Sequence, residues 1–321
     1  MGTQPKDGAD LELSVLVVSF NTRELTLACL ESLYHETAAN FETIVVDNAS
    51  QDGSAEAIAS RFPQAKLIPL EDNIGFAAGN NLAAEHVRSP RILLLNPDTV
   101  VLNKAVDKLL AFADTKGDRY ICGGRTLFED GNLNPSSCWG RITPWSTFCE
   151  FSGLSSVFRR SRLFDPESLG PWPRDSARAV DIVSGCFFLV PTLLWRELEG
   201  FDRDFFMYGE EADFCHRASN RGVQPWLTPT AEIIHLGGAS ERVRADKLVR
   251  LLGARARLIR RHWHPLLAPW GVRMVAGRAA TRSLFWKIRS FLSPAAARSE
   301  SAACWMEVWK RRGEWISDAA R

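Results

Sequence analysis

Between residues 13 and 114, four short apolar runs alternate with four amphipathic segments, and this rhythm decides the fold class. LSVLVVS (13–19), ETIVVD (42–47), AKLIPL (65–70) and RILLL (91–95) are rich in Val, Ile and Leu and have the length of strands. They alternate with TRELTLACLESLYH, SAEAIASRF (54–62), GFAAGNNLAAEHV (75–87) and NKAVDKLLAFAD (103–114), which read as helices. Asn21 is expected to cap the first helix, with Glu24 near its N3 position. Strands buried on both faces and joined by helices of this length predict a parallel sheet of right-handed βαβ units.

Each strand ends in a polar cluster. Ser19 and Asn21 follow the first, Asp47, Asn48 and Ser50 the second, Asp72, Asn73 and Gly75 the third, and Asn96 and Asp98 the fourth. Open parallel α/β sheets bind ligands outside the carboxyl ends of their strands, so these clusters are expected on one rim. The same residue types also favour helix-capping turns whatever the function, so any one cluster can be read either way. LLLNPDTV (93–100) is the sharpest case, because it runs a buried strand straight into a carboxylate. Asp is seldom buried without a partner, so Asp98 either turns the chain or faces something charged. VVSFNTRE lacks GxGxxG, which argues against a dehydrogenase, and no GxxxxGK[ST] marks a P-loop.

Past residue 115 the alternation stops. RTLFEDGNLNPSSC (125–138) reads as a hairpin turning at Asp130-Gly131. Residues 139–178, rich in Pro, Ser, Arg and Trp and without a period, read as a long, mobile loop region. VDIVSGCFFLVP (180–191) is a strand interrupted at Ser184-Gly185, and TLLWRELEGF (192–201) a short helix ending at Gly200. In FFMYGEEADFCHRASNRG (205–222), Glu210, Glu211 and Asp213 crowd four positions. They suit the positive end of a helix that stops at Gly222. A carboxylate held against the adjacent aromatic residues would also gain basicity and could take a proton from an attacking hydroxyl. His235 closes the apolar run in TAEIIHLGGAS (230–240), where a lone His is usually structural but could join a carboxylate in a divalent-metal site.

As a set, VVSFNTRELTLACLESL, VVDNASQDGS, NIGFAAGNN, LLLNPDTV, SGCFFLV, GFDRDFFMYGEEADFCHRASNRG and IIHLGGAS resemble one family. It is the inverting family 2 glycosyltransferases of GT-A fold, in the rhamnosyltransferase-like branch that builds bacterial surface polysaccharides such as O-antigen and cell wall. The resemblance covers roughly residues 12–240 and implies an α/β fold, a Rossmann-like, mostly parallel sheet flanked by helices. It implies that Asp47 meets a pyrimidine base, that Ser19, Asn21, Asn48 and Ser50 line the nucleotide, and that Asn73, Gly75, Phe76 and Asn80 surround the nucleoside. NPD takes the place of the family's Asp-x-Asp motif, so Asp98, with the neutral Asn96 in the first position, would bind Mg²⁺ or Mn²⁺ bridging the donor diphosphate. His235 matches the family's metal-ligand histidine. The catalytic base matches Glu211, where many relatives have Asp, and Glu210 stays open as an alternative; Asp213 is expected to brace the helix.

The net charge of +1 hides an asymmetry. Arg244–Arg289 carries twelve Lys/Arg against one acid, hence +11, leaving −10 for the rest of the chain. Leu, Trp and Phe alternate with Arg there, as in basic amphipathic helices on anionic membranes. Solvated helices packed on the catalytic domain are the plainer alternative, and no recognised nucleic-acid motif accompanies the charge. Seven scattered cysteines without CxxC fit a reducing compartment, and neither a signal peptide nor a membrane span is evident. The expectation is therefore a disordered segment 1–11, a catalytic domain 12–240 and a basic helical extension 241–321, cytoplasmic and peripheral on the inner membrane face. Within the catalytic domain, 12–114 would hold the nucleotide sugar and 115–240 the acceptor. The resemblance implies a dTDP- or UDP-sugar donor, dTDP-L-rhamnose first among them, and a glycan acceptor linked to polyprenyl diphosphate. A catalytically weak nucleotide-sugar-binding protein is the rival reading. A sugar nucleotidyltransferase would need a Gly-rich loop after the first strand, which is absent.

Overall fold

The computed structural model describes residues 10–237, 244–293 and 299–316. The expectations for residues 1–9 and for the Gly-Ala-Ser end of the 230–240 segment lie outside the described residues. The chain forms two compact units, one of residues 1–139, 172–206 and 210–240, the other of residues 140–171, 207–209 and 241–321.

The first unit opens as the hydrophobic rhythm requires. β1 (Leu13–Ser19), α1 (Arg23–Glu36), β2 (Phe41–Asp47), α2 (Ser54–Arg61), β3 (Lys66–Pro69), α3 (Phe76–Ala84) and β4 (Arg91–Leu95) alternate in order. A short β5 (Thr99–Val101) follows NPD, then α4 (Ala105–Asp114), β6 (Ile121–Leu127), β7 (Leu133–Asn134) and β8 (Cys138–Trp139). β5 was not foreseen, since three residues carry no readable period. In the sheet, β3, β2, β1 and β4 lie side by side and parallel, so all four carboxyl ends share one edge. β6 and β7 form the expected antiparallel hairpin, with Gly131 at φ +79° in its turn. Leu13, Val15, Val17, Val45, Leu93 and Leu95 are fully buried under α1 and α4 with Leu30, Leu33 and Leu109.

The SGC interruption is real. β9 (Arg178–Ala179) and β10 (Ile182–Val183) precede it, and β11 (Phe187–Pro191) follows, inserted antiparallel between β4 and β6. After α7 (Thr192–Glu197), α8 (Glu210–Ser219) leads to β12 (Pro225–His235), parallel to β6 and antiparallel to β5.

Two local expectations are corrected. Asn21 does not cap α1: Thr22 holds that position, and Asn21 sits at φ +52°. Its Oδ1 accepts from the Gln51 N–H, and its own N–H donates to Ser50 Oγ, so it stitches the β1 loop to the β2 loop. Within 139–178, α5 (Pro144–Ser152) and α6 (Leu154–Val157) replace the expected irregular loop. Pro144 stands in the first turn, and Thr143 and Ser146 close a capping box, a signal masked by the Pro/Trp/Ser composition.

The second unit contains α5 and α6 with α9 (Arg244–His262), α10 (Ala268–Leu292), α11 (Glu300–Lys310) and α12 (Gly313–Ile316). Val249, Ile259, Val272, Val275, Val308 and Trp315 form its core. Gly277 lets α5 approach α10 closely, because a Cβ there would lie 2.6 Å from the Phe151 ring. Part of the basic charge is internal to this unit: Arg255 pairs with Glu150 and Glu167, and Arg278 with Glu150.

Candidate active site

The carboxyl edge of β1–β4 carries the nucleotide candidates on a hydrogen-bonded lattice. The Asn48 N–H donates to Ser19 O at 2.8 Å, and Leu70 N–H to Asp47 O at 2.9 Å, fixing the strand ends relative to one another. Asn48 Nδ2 donates to Asn73 Oδ1 at 2.9 Å, while Asn48 Oδ1 accepts from Ile74 N–H and Asn73 Oδ1 from Gly75 N–H. The Ser19 hydroxyl turns inward to Thr22 and Thr26, so only its backbone serves the rim. Asp47 is buried; its Oδ2 accepts from Ser50 N–H, and its Oδ1 has no hydrogen-bond partner. An unsatisfied buried acceptor is costly and invites a donor from a ligand. Asn80 Nδ2 donates to Phe76 O, locking the first turn of α3.

Gly75 has to be glycine. Its φ is +86°, and a Cβ would lie 2.5 Å from Phe206 O, the acceptor of the Phe76 N–H. Sequence reasoning did not single out Phe206, which touches the β3 loop only through the fold and stays 42% exposed beside the acidic helix.

The NPD segment meets β12 through sheet register. His235 pairs with Thr99, which places the imidazole Nε2 3.4 Å from Asp98 Oδ1 and 3.4 Å from Asn96 Nδ2. Burial would raise the Asp98 pKa, but the His235 imidazole and the N–H groups of residues 98 and 237 outweigh it, and the carboxyl sits below its ordinary value. Burial pulls the His235 imidazole down, yet the Cys186 thiol and the Asp98 carboxylate beside it lift it to about 10. Asn96 Oδ1 is buried without a partner. Oxygen donors from Asp98 and Asn96 beside one imidazole are a set that suits Mg²⁺ or Mn²⁺. Among the described residues, no group of three or more His, Cys, Asp or Glu is placed to hold a metal, so any cation here relies on Asn96 or on the ligand.

Glu210 and Glu211 open α8 and are both buried. Burial, and then the charge of Glu211, push the Glu210 carboxyl well above its ordinary value. Asp213 does brace the helix: its Oδ2 accepts from Arg217 Nε at 2.6 Å, and the same guanidinium donates to the carbonyls of Leu198 and Gly200. Phe188, Trp195, Phe201 and Phe214 pack edge to face beneath it.

What joins these groups is the break in the β10–β11 run. Asn96 N–H donates to Cys186 O at 3.1 Å, the Cys186 side chain acts electrostatically on His235, and Gly185 faces Phe76 and Glu211. A Cβ on Gly185 would lie 3.4 Å from Phe76 and 3.9 Å from the Glu211 Cβ. The Ser-Gly pair inside an apolar strand was the visible signal, but its partners were not. Phe76 of the nucleoside candidates, Asn96 and His235 of the NPD site, and Glu211 of the acidic helix thus lie around one three-residue turn.

The chain matches the model for glycosyl transferase family 2 over residues 14–164. It is 25% identical over 251 residues to the N-acetylglucosaminyl-diphospho-decaprenol L-rhamnosyltransferase of Mycobacterium tuberculosis, covering 70% of this chain and 75% of that one. Among solved structures it resembles the mannosyltransferase PcManGT from Pyrobaculum calidifontis in complex with GDP-Man and Mn²⁺, with a TM-score of 0.53 at 14% identity over 99% of this chain and 90% of that one. It also resembles S. aureus TarS, with a TM-score of 0.50 at 14% identity, covering 83% of this chain but spanning only 43% of that one. The α/β architecture, a mostly parallel sheet flanked by helices, is the GT-A fold.

Proposed function

We infer that this chain, which belongs to the family 2 glycosyltransferases in their rhamnosyltransferase-like branch, moves L-rhamnose from dTDP-L-rhamnose to a hydroxyl of a polyprenyl-diphosphate-linked glycan. Transfer inverts the anomeric carbon. One observation carries the reading: the Ser184–Cys186 turn accepts the Asn96 N–H, sets its Cys186 side chain to act on His235, and leaves Gly185 facing Phe76 and Glu211. A donor seated on that turn has its nucleoside toward Phe76 and its diphosphate toward Asp98. The M. tuberculosis relative, an N-acetylglucosaminyl-diphospho-decaprenol L-rhamnosyltransferase, supports both the sugar and the lipid-linked acceptor.

In this reading the open Oδ1 of Asp47 accepts from the N3–H of a pyrimidine base, and the Asn48–Asn73–Gly75 lattice fixes the ribose side. Asp98, His235 and Asn96 would hold Mg²⁺ or Mn²⁺, which when bound would supply positive charge against that building on the departing diphosphate. Burial and the neighbouring Glu211 charge raise the Glu210 carboxyl, which favours its protonated form and leaves Glu211 the base of the pair. Glu211 then takes the proton of the acceptor hydroxyl as it attacks from the face opposite the diphosphate. Such general-base assistance contributes about 10²–10⁴-fold. The basic C-terminal region brings the enzyme to the anionic, cytoplasmic face of the membrane that carries the acceptor.

Incubation with dTDP-L-rhamnose or UDP-sugars and a polyprenyl-diphosphate N-acetylglucosamine acceptor, with NMR of the product, tests this reading. Transfer from the dTDP donor with inverted configuration is expected. Retained configuration, preference for a purine-nucleotide donor, or donor binding without turnover would overturn it, the last in favour of a nucleotide-sugar-binding protein.

A further inference from the structure

α10 is apolar on two opposite sides. Ala268, Val272, Val275, Ala279 and Ser283 face the core of the second unit and are buried. Helical periodicity puts Trp270, Leu284, Ile288 and Phe291 on the other side, with Phe285 and Leu292 along its edge. All six are exposed, Phe291 by 91% and Leu292 by 74%. Gly277 lies on that same side and there receives Phe151 of α5, whose own neighbours Trp145 and Phe148 are exposed as well. A helix apolar on both sides is normally covered on both, and the exposed apolar cluster in its last turns, Leu284, Phe285, Ile288, Phe291 and Leu292, marks an interaction surface.

The charges choose the occupant. Arg282, Lys287 and Arg289 border the stripe and are exposed, and the Arg289 guanidinium lies 6.0 Å and 5.6 Å from the rings of Phe285 and Trp286. No acid occurs from Lys247 to Ser299. We propose that this outer side of α10, extended by the exposed aromatics of α5, is the surface by which the second unit inserts shallowly into an anionic lipid bilayer. A second copy of the chain would set cations against cations, and nucleic acid has no use for exposed Leu, Ile and Phe. No helix among the described residues is long and apolar enough to cross a membrane, so the helix lies in the interface plane. The proposal deepens the lipid-linked acceptor reading by naming the docking face, but its observations are independent of that reading.

The test is sedimentation of the full chain with phosphatidylcholine vesicles, with and without phosphatidylglycerol, alongside the melting shift induced by dTDP. Binding only to the phosphatidylglycerol vesicles, weakened by salt, is expected. Ile288→Ser with Phe291→Ser should weaken binding at least about tenfold. Arg282→Gln with Lys287→Gln and Arg289→Gln should weaken it roughly a hundredfold, while Phe291→Trp should retain it. The dTDP shift should be the same in every variant. Equal binding to both vesicle types, indifference to both variant sets, or a dimer in solution that the Ser variants dissociate would overturn the proposal. Loss of the dTDP shift with vesicle binding intact would strike the glycosyltransferase reading instead.

Discussion

Asp98 Oδ1 lies 3.4 Å from His235 Nε2, although the two residues come from opposite halves of the first unit's sequence. The antiparallel pairing of β5 with β12 makes the contact, with Thr99 opposite His235. A three-residue strand, too short to show in the sequence, therefore builds the proposed cation site.

That pairing predicts how the site responds to metal. Asp98→Ala and His235→Ala should each remove the extra melting shift that Mn²⁺ adds to dTDP binding, weakening metal-assisted binding by at least about tenfold. The shift given by dTDP alone should persist. Asn96→Asp adds a charged oxygen donor and should tighten Mn²⁺ binding in the same titration.

Glu210 predicts a pH-dependent stability. Its ordinary value is 4.5, and burial with the Glu211 charge raises it in the folded chain. Between those two values the folded state holds a proton that the unfolded chain has released, so stability falls as pH rises through the window. Glu210→Gln removes that loss. Melting curves should show the variant more stable than the parent at pH 8, with the difference gone below the ordinary glutamate value. A difference that stays constant with pH would contradict the assignment.

Gly75→Ala separates strain from contact. Gly131 has a similar positive φ, +79°, but no atom within 4 Å of its added Cβ, whereas Gly75 faces Phe206 O at 2.5 Å. Denaturant unfolding should show about 1 kcal/mol lost at Gly131→Ala. At Gly75→Ala the loss should be larger by about 1–3 kcal/mol, with weaker dTDP binding because the Asn48–Asn73 lattice shifts.

Much of the fold was legible because the β1–β4 core obeys a hydrophobic period. Val15, Val17, Leu93 and Leu95 could be placed by sequence alone, and the shared edge of polar clusters followed. Asn21 was misplaced because an Asn before a helix usually caps it, and only the neighbouring loop reveals that its side chain binds Gln51. α5 was missed because composition outweighed its capping box. The turn at Gly185 could be seen as a break, but its placement beside Phe76, Asn96, His235 and Glu211 depends on β11 inserting between β4 and β6. Register of that kind leaves no local trace.

The most direct test of the central claim is transfer by Glu211→Gln with donor binding measured alongside. The dTDP melting shift should match the parent while turnover falls about 10²–10⁴-fold. Turnover within a few fold of the parent would contradict the account, because the proton of the acceptor hydroxyl would then leave through another group.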